Sequence, residues 1–308
     1  MAGIPSTRYD AGDTITTLAD MIPTLIAPEI VASAARIEVF RPLVREFDMT
    51  GRPGGALDVV NTPSLAFAAL TELTAPNATT FDTGKRTLNP TIRGVDVAIS
   101  IMAWEEAAVG ITDSVAKEAA QGLAGDRDGL FAALYTEAPA SAPTHEIGTD
   151  GVALSYTTLC AGMALLATQN APRPIDWCVT PTQWYGELAK DNTLIDASIK
   201  GSPVLTQGMG ANGSVTQVYD CRIFVSDKVA ISSGTVYESM MFSEKAALGY
   251  AYRRITSPLT GVPSELLVDV DWDSSARAYN LNMTYYADAE GLKGTSVTTN
   301  TWLVSIIS

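Results

Sequence analysis

The stretch from Gly51 to Gly94 constrains this chain more than any other. "GRPGG" is a turn, "ALDVVNTP" is a short strand, and "TAPNATTFDTGKRTLNPTIRG" is rich in Thr, Asn, Gly and Pro. Two extended arms joined by a polar stretch describe a long hairpin-like excursion. By itself it cannot satisfy its own apolar and backbone groups. Whatever the chain folds into must supply a core elsewhere and leave this excursion to lie on another surface.

The segment before it has the same problem. A polar lead-in, "MAGIPSTRYDAGD", is followed by "MIPTLIAPEIVASAARIEVFRPLVREFD". Pro28 at an early helical position, then Ile30, Val31, Ala34 and Ile37, predict a short amphipathic helix. Pro42 pushes Arg41 out of the helical region and ends the unit near "FRPLV". So short a helix needs something else to lie along.

Core-forming patterns begin after Gly94. Val95, Val97, Ile99 and Ile101 alternate with Asp96, Ala98 and Ser100, which predicts a half-buried strand. "ITDSVAKEAAQGLAGDRDGLFAALYTEA" is the longest helical signal, with Thr112 or Asp113 able to cap it. Val115, Ala119, Leu123, Leu130, Phe131 and Leu134 trace one face over ~35 Å at 1.5 Å per residue. Gly122, Gly125 and Gly129 each cost ~1 kcal/mol against Ala, and either admit a neighbouring backbone or bend the helix. "APASAPTHEIGTDG", 138–151, is a Pro/Ser/Gly linker and the best internal boundary.

Beyond the linker, a helix is expected from Ser155 to Gln169 and a strand at "IDWCV". Thr180-Pro181 is an N-cap followed by Pro at the first helical position, so "TPTQWYGELAKD" is a second helix. Strands follow at "VTQVYDCRIFVSD", with a turn near "YDC", then at "TVYESMMF" and "LGYAYRR". Finally Leu266, Val268, Val270 and Trp272 are answered by Tyr279, Leu281, Met283 and Tyr285, an antiparallel hairpin with one buried face.

The chemistry is sparse. "TQGMGANGSV", 206–215, contains a literal G-x-G-x-x-G, but a β-branched and aromatic run follows it. No helix opens there to hold a pyrophosphate, so the match reads as a loop. His145 is the only histidine and lies in the linker, a poor place for the general base of a Ser–His or Cys–His site. One His and three scattered cysteines, Cys160, Cys178 and Cys221, make no usual zinc site and read as free thiols. Glu105 and Glu106 are adjacent and do not face one another on a helix. Neither a P-loop nor G-x-S-x-G occurs. Elimination therefore points to a protein with no catalytic, cofactor or metal residues; the competing reading, a hydrolase or transferase using carboxylates alone, has only the surplus of acids behind it.

That surplus is large: 34 acids against 20 bases, a net charge of −14. With no basic run the chain is a poor grip for phosphates, although an acidic wall could enclose nucleic acid without holding it. The length suggests about two domains that bury roughly 75% of the unfolded surface. No run approaches the ~20 apolar residues that cross a bilayer. The polar start reads as neither signal nor transit peptide, so synthesis without secretion is expected.

The order of parts resembles the major capsid protein of tailed phages, the Hong Kong 97-type α+β fold. "IPTLIAPEIVASAARIEVFRPLV" resembles the N-terminal arm, and "GRPGGALDVVNTPS…FDTGKRTLNPTIRGVDVAI" the extended E-loop. "ITDSVAKEAAQGLAGDRDGLFAALY" looks like the spine helix, "WCVTPTQWYGELAKD" and "CRIFVSDKVA" like the axial domain, and "MMFSEKAALGYAYRR" like the return to the peripheral domain. The likeness covers nearly the whole chain and rests on architecture more than on an invariant motif. It implies an arm at 1–48, an E-loop at 49–94, and a peripheral domain at 95–150 with a spine helix at about 112–137. An axial domain at 151–249, a long peripheral hairpin at 250–290 and a return to the axial domain at 291–308 complete it.

The resemblance implies a shell subunit that assembles with itself as pentamers and hexamers in the host bacterial cytoplasm and ends in the virion capsid. Its acidic lining would keep packaged double-stranded DNA mobile, with no sequence-specific binding and no membrane. Residues 1 to about 94 would be buried on sister copies, with Phe40, Arg41, Lys85 and Arg86 as candidate contacts between subunits. The chain starts almost directly at its arm, so a separate scaffolding protein is expected, beside a portal and room for a decoration protein. Lys85 lies in the loop where some members cross-link a Lys to a neighbour's Asn, but no motif marks an acceptor. A solvated Lys or a salt bridge between subunits is the plainer reading. An encapsulin-type shell around an enzyme cargo is the alternative with the same fold.

Overall fold

A computed structural model of the chain describes residues 27–52, 54–61, 84–100, 102, 111–138, 145–191, 216–218, 220–232, 236–256, 263–275, 277–293 and 301–308. Helix α1 spans 27–37 and leads through a 3-10 turn, Arg41–Leu43, into β1 (Arg45–Asp48). Strands β2 (Leu57–Asn61), β3 (Gly84–Leu88) and β4 (Thr91–Ser100) precede helix α2 (Ile111–Ala132), which tightens into a 3-10 turn, Ala133–Glu137. Then come β5 (Glu146–Gly148), α3 (Tyr156–Thr168), β6 (Ile175–Val179), α4 (Pro181–Gly186), β7 (Thr216–Val218), β8 (Cys221–Val225) and β9 (Ala230–Ser232). The chain closes with β10 (Val236–Ser243), β11 (Leu248–Arg253), β12 (Ile255–Thr256), β13 (Pro263–Ser264), β14 (Leu266–Asp273), β15 (Ala278–Gly291) and β16 (Leu303–Ile307).

Two sheets carry the fold. The first runs β1-β11-β15-β14, with β4 also on β15. Strand β15 is its axis: its first part pairs with β14 and β4, its last with β11. The hairpin register is the expected one, with Leu266 opposite Tyr285, Val268 opposite Met283, Val270 opposite Leu281 and Trp272 opposite Tyr279. Alternation sets it, because a slip of one residue would turn every apolar side chain outward. The buried face ends before the tip, where Trp272 is 42% exposed and meets Tyr279 with the two rings tilted by 56°.

The second sheet runs β5-β16-β10-β6-β8-β7, with β9 on β10. Its outer face packs under α3 and α4, through Ile175, Trp177, Val179, Met241, Val304 and Ile306. The other face sends Cys178, Phe224, Met240, Phe242 and Leu303 into the larger cluster shared with α1, α2 and the first sheet. Cover on both sides explains why "IDWCV" is buried at every position. Thr180 caps α4 as expected: its hydroxyl accepts from Gln183 N–H, and Gln183 Oε1 accepts from Thr180 N–H.

Two expectations need correction. Residues 27–49 were expected to lie on sister copies, yet Ala27, Ile30, Ala34, Phe40, Leu43 and Val44 belong to the chain's own main cluster. Strand β1 finds its backbone partner in β11. This segment needed a large apolar surface, and its own α2 and first sheet provide one. The sequence places His145 in a Pro-rich linker, a setting in which exposure is expected; it is 1% exposed, with Nδ1 lying 3.0 Å from the Leu303 carbonyl beside β5. Residues 139–144 of that linker lie outside the described residues, as do Glu105, Glu106 and the glycine loop 206–215.

Candidate assembly surfaces

The four residues singled out from the sequence divide into covered and presented. Phe40 is fully buried, its ring stacked on Phe131 at 5.8 Å and on Phe242 at 6.2 Å. Arg41 clamps Glu265, with Nη1 and Nη2 each 3.0 Å from a carboxylate oxygen, and reaches Glu46 through Nε at 3.0 Å. Arg86 is 2% exposed and donates to Glu290 at 2.8 Å. Lys85 alone faces solvent, its side chain 67% exposed, in a 2.9 Å pair with Asp58 across the β2–β3 ladder. Alternation decides this: on β3, Lys85 and Thr87 point away from the body while Arg86 and Leu88 point into it.

Arg41 belongs to a charged hub that fixes the exit of α1. Arg127, near the C-terminal end of α2, donates to Glu38 at 2.7 Å, with both side chains essentially sealed from solvent. Its neighbour Asp128 accepts from the backbone N–H groups of Val39 and Phe40 at 3.0 and 3.2 Å. Burial pushes the Asp128 carboxyl up to about 6 against those two hydrogen bonds. Arg41 and Arg127 lie over the rings of Tyr250 and Tyr285, at 5.8 and 5.3 Å. Sequence reading missed this hub because charged residues on a helix are normally solvated. One signal was available: Arg127 continues the buried stripe Ala116, Ala120, Ala124 toward Phe131 at helical spacing.

That stripe also shifts the expected face of α2. Val115, Ala119 and Leu130 are only partly buried, and Val115 and Ala119 line an apolar cleft of about 710 Å³ between α2 and the first sheet. Val95, Val97 and Met283 form its opposite wall. The Arg93–Asp126 pair, at 2.8 Å, closes one end, and the Tyr285 hydroxyl donates to the same carboxylate. Among the described residues no other backbone comes near the α2 glycines: Gly122 and Gly129 have open space where a Cβ would stand, and Gly125 meets the Lys228 side chain.

No chemistry stands out among the buried nucleophiles. Cys178 and Cys221 are buried and free, and burial pushes both thiols up, out of the nucleophilic range. Cys160 is free and partly buried against the helix side of the second sheet. Among the described residues no group of three or more His, Cys, Asp or Glu side chains is arranged to hold a metal ion. No described helix is long and apolar enough to cross a membrane.

Sequence comparison is silent: no family model matches the chain, and no curated protein does. Structural comparison is informative. A capsid subunit of cyanophage Pam1 superposes with a TM-score of 0.63 at 13% identity, over 88% of this chain and 92% of that one. The capsid of Ralstonia phage GP4 gives 0.61 at 10% identity, over 86% and 87%. The SrpI encapsulin complex of Synechococcus elongatus gives 0.59 at 11% identity, over 99% and 95%. At such identities it is the path of the backbone that is shared, and this chain has the α+β fold of tailed-phage capsid proteins, a fold found also in an encapsulin.

Proposed function

We propose that this chain is the major capsid protein of a tailed phage of Hong Kong 97 type, building an icosahedral head from pentamers and hexamers around double-stranded DNA. The observation that carries the reading is the likeness to phage capsids along 86% or more of the chain, in a protein where the sequence offers no catalytic motif. In this reading the first sheet with α2 is the peripheral domain, the second sheet with α3 and α4 the axial domain, and the β2–β3 hairpin the E-loop.

The reading no longer depends on the whole front of the chain lying on sister copies, since the apolar face of 27–49 is buried at home. It places the contact on the hairpin instead, where Val60 is 58% exposed and Lys85 is presented to solvent. Leu57, Val59 and Leu88 pack one face of the ribbon on the chain's own body, and a neighbour's surface would cover the other face, with Val60 and Lys85. Closed rings of such contacts are heterologous interfaces that close by symmetry. The net charge of −14 suits a lining that repels packaged DNA and keeps it mobile. A separate scaffolding protein, a portal and a decoration protein are the further partners, and the subunit itself performs no catalysis.

The test is electron microscopy of the protein expressed alone and with the scaffold encoded beside it. Closed shells or ring-shaped capsomers are expected. A monodisperse monomer at every concentration would overturn the reading, and small shells filled with an enzyme would move it to the encapsulin alternative.

A further inference from the structure

The first sheet carries opposite charges at its two ends. Where β1 and β11 finish, three guanidiniums gather around a glycine-rich turn. Arg253 donates through Nη2 to the Gly54 carbonyl at 2.7 Å, and the Arg254 N–H donates to Thr50 Oγ1 at 3.0 Å. The Arg254 guanidinium lies 3.5 Å from Asp48, and Arg52 acts on the same carboxylate. Glu265, also in range of Arg254, is held by Arg41. Arg52 and Arg254 are exposed. Positive charge is therefore in surplus here, in a chain whose net charge is −14.

The other end is acidic. Asp269 of β14 and Asp96 of β4 both stand opposite Asn282 of β15, and Asp271 stands opposite Asn280. Arg253 stands opposite Tyr286. Paired residues project to the same side and a strand's period is two, so Arg253 and these three carboxylates share the face turned away from α2. Asp96, Asp269 and Asp271 are exposed, and their neighbours on β15 are asparagines, not cations. The two ends cannot neutralise each other within one chain. Asn282 lies four residues and Asn280 six residues along β15 from Tyr286. That is about 14 and 20 Å at ~3.4 Å per residue, against a screening length of ~8 Å in physiological salt.

We infer that this face joins neighbouring subunits head to tail, with Arg52, Arg253 and Arg254 of one copy set against Asp96, Asp269 and Asp271 of the next. The inference rests on the capsid reading and deepens it by naming one contact. A chain that assembles with itself must supply both halves of a heterologous interface, and opposite charges at the two ends of one sheet do so. Duplex DNA fits the arginines less well, since three guanidiniums neutralise few phosphates and the net charge of the chain repels it.

Charge reversal in the full chain tests this. Arg52→Glu with Arg254→Glu, or Asp269→Lys with Asp271→Lys, should each lower the yield of closed shells by roughly tenfold or more, because like charges then meet. The two pairs combined should restore the yield to within about threefold of wild type, a recovery that damage to the fold would not give. These positions are exposed, so the urea midpoint of the unassembled subunit should stay near that of wild type. Arg254→Glu also breaks the contact with Asp48; if that chain is unstable, Arg52→Glu and Asp271→Lys, alone and together, decide. Reversals that leave the yield unchanged, or a combined variant as poor as either pair, would overturn the interface and leave the capsid reading standing. Shells at wild-type yield that retain less DNA after the arginine changes would also overturn it, and would assign the arginines to nucleic acid. A wild-type chain that forms no shells brings down the capsid reading, and this interface with it.

Discussion

Replacing Arg127 with Met should be among the most damaging single changes in the molecule that leave its apolar volume nearly intact. Glu38 is sealed from solvent and takes its shortest contact, 2.7 Å, from the Arg127 guanidinium. Removing that cation strands a buried carboxylate, a loss measured elsewhere at roughly 3–5 kcal/mol. Arg41 stands 3.7 Å from the other Glu38 oxygen and keeps part of the compensation. The lower end, about 3 kcal/mol, is therefore expected. Against a total of ~5–15 kcal/mol for a typical domain, that is a large fraction. Urea denaturation of the unassembled subunit measures it, with Glu38→Met and the double variant completing a cycle. The double variant should recover most of the loss, because two well-packed apolar groups in place of a buried pair are close to neutral. A cost below ~1 kcal/mol for Arg127→Met, or a double variant as unstable as the single, would refute the claim that the hub is held by this pairing.

Other outcomes follow from the same structure. Phe40→Ala, at a fully buried ring between Phe131 and Phe242, should cost ~3–5 kcal/mol of subunit stability before any assembly is tested. Lys85→Ala should leave the subunit's urea midpoint unchanged, since that side chain is 67% exposed, yet lower the yield of closed shells; shells at wild-type yield would remove Lys85 from the interface. Thr180→Ala deletes the α4 cap and should cost ~1 kcal/mol in the same denaturation assay. Gly122→Ala and Gly129→Ala should each add ~0.5–1 kcal/mol, because open space stands where the methyl would go; a fall in midpoint would mean another surface lies against α2 there.

Local order was written plainly in the chain. Alternation of Leu266, Val268, Val270 and Trp272 against Tyr279, Leu281, Met283 and Tyr285 named the hairpin pairs that form, because a strand's period of two rules out any slip by one residue, which would turn the apolar side outward. Thr180-Pro181 announced its helix because an N-cap and a ring-fixed φ act within a few residues. The ladder of β2 with β3 was legible for a similar reason, as two extended arms with nothing else to pair with. What the sequence could not announce was where the surface for α1 would come from. That surface is assembled from α2, β11 and β15, distant in the chain, and its apolar extent exists only once they are packed.

The same reason separates the two kinds of arginine. From sequence, Arg41, Arg86 and Arg127 are charged residues that belong in water, and Arg41 and Arg86 were placed on a surface between subunits. In the folded chain each meets carboxylates from far along the sequence, Glu265 for Arg41, Glu290 for Arg86 and Glu38 for Arg127. A residue's own period and propensity fix its helix or strand, and those terms are local; whether its charge is solvated or buried is set by what the fold lays over it. The sequence by itself determined most of the elements, the cap of α4 and the register of the late hairpin, although the long helix starts at Ile111, ahead of the Thr112 and Asp113 expected to cap it. Only the tertiary structure decided which charges went inside, because desolvation and pairing are properties of a place that no short stretch of the chain contains.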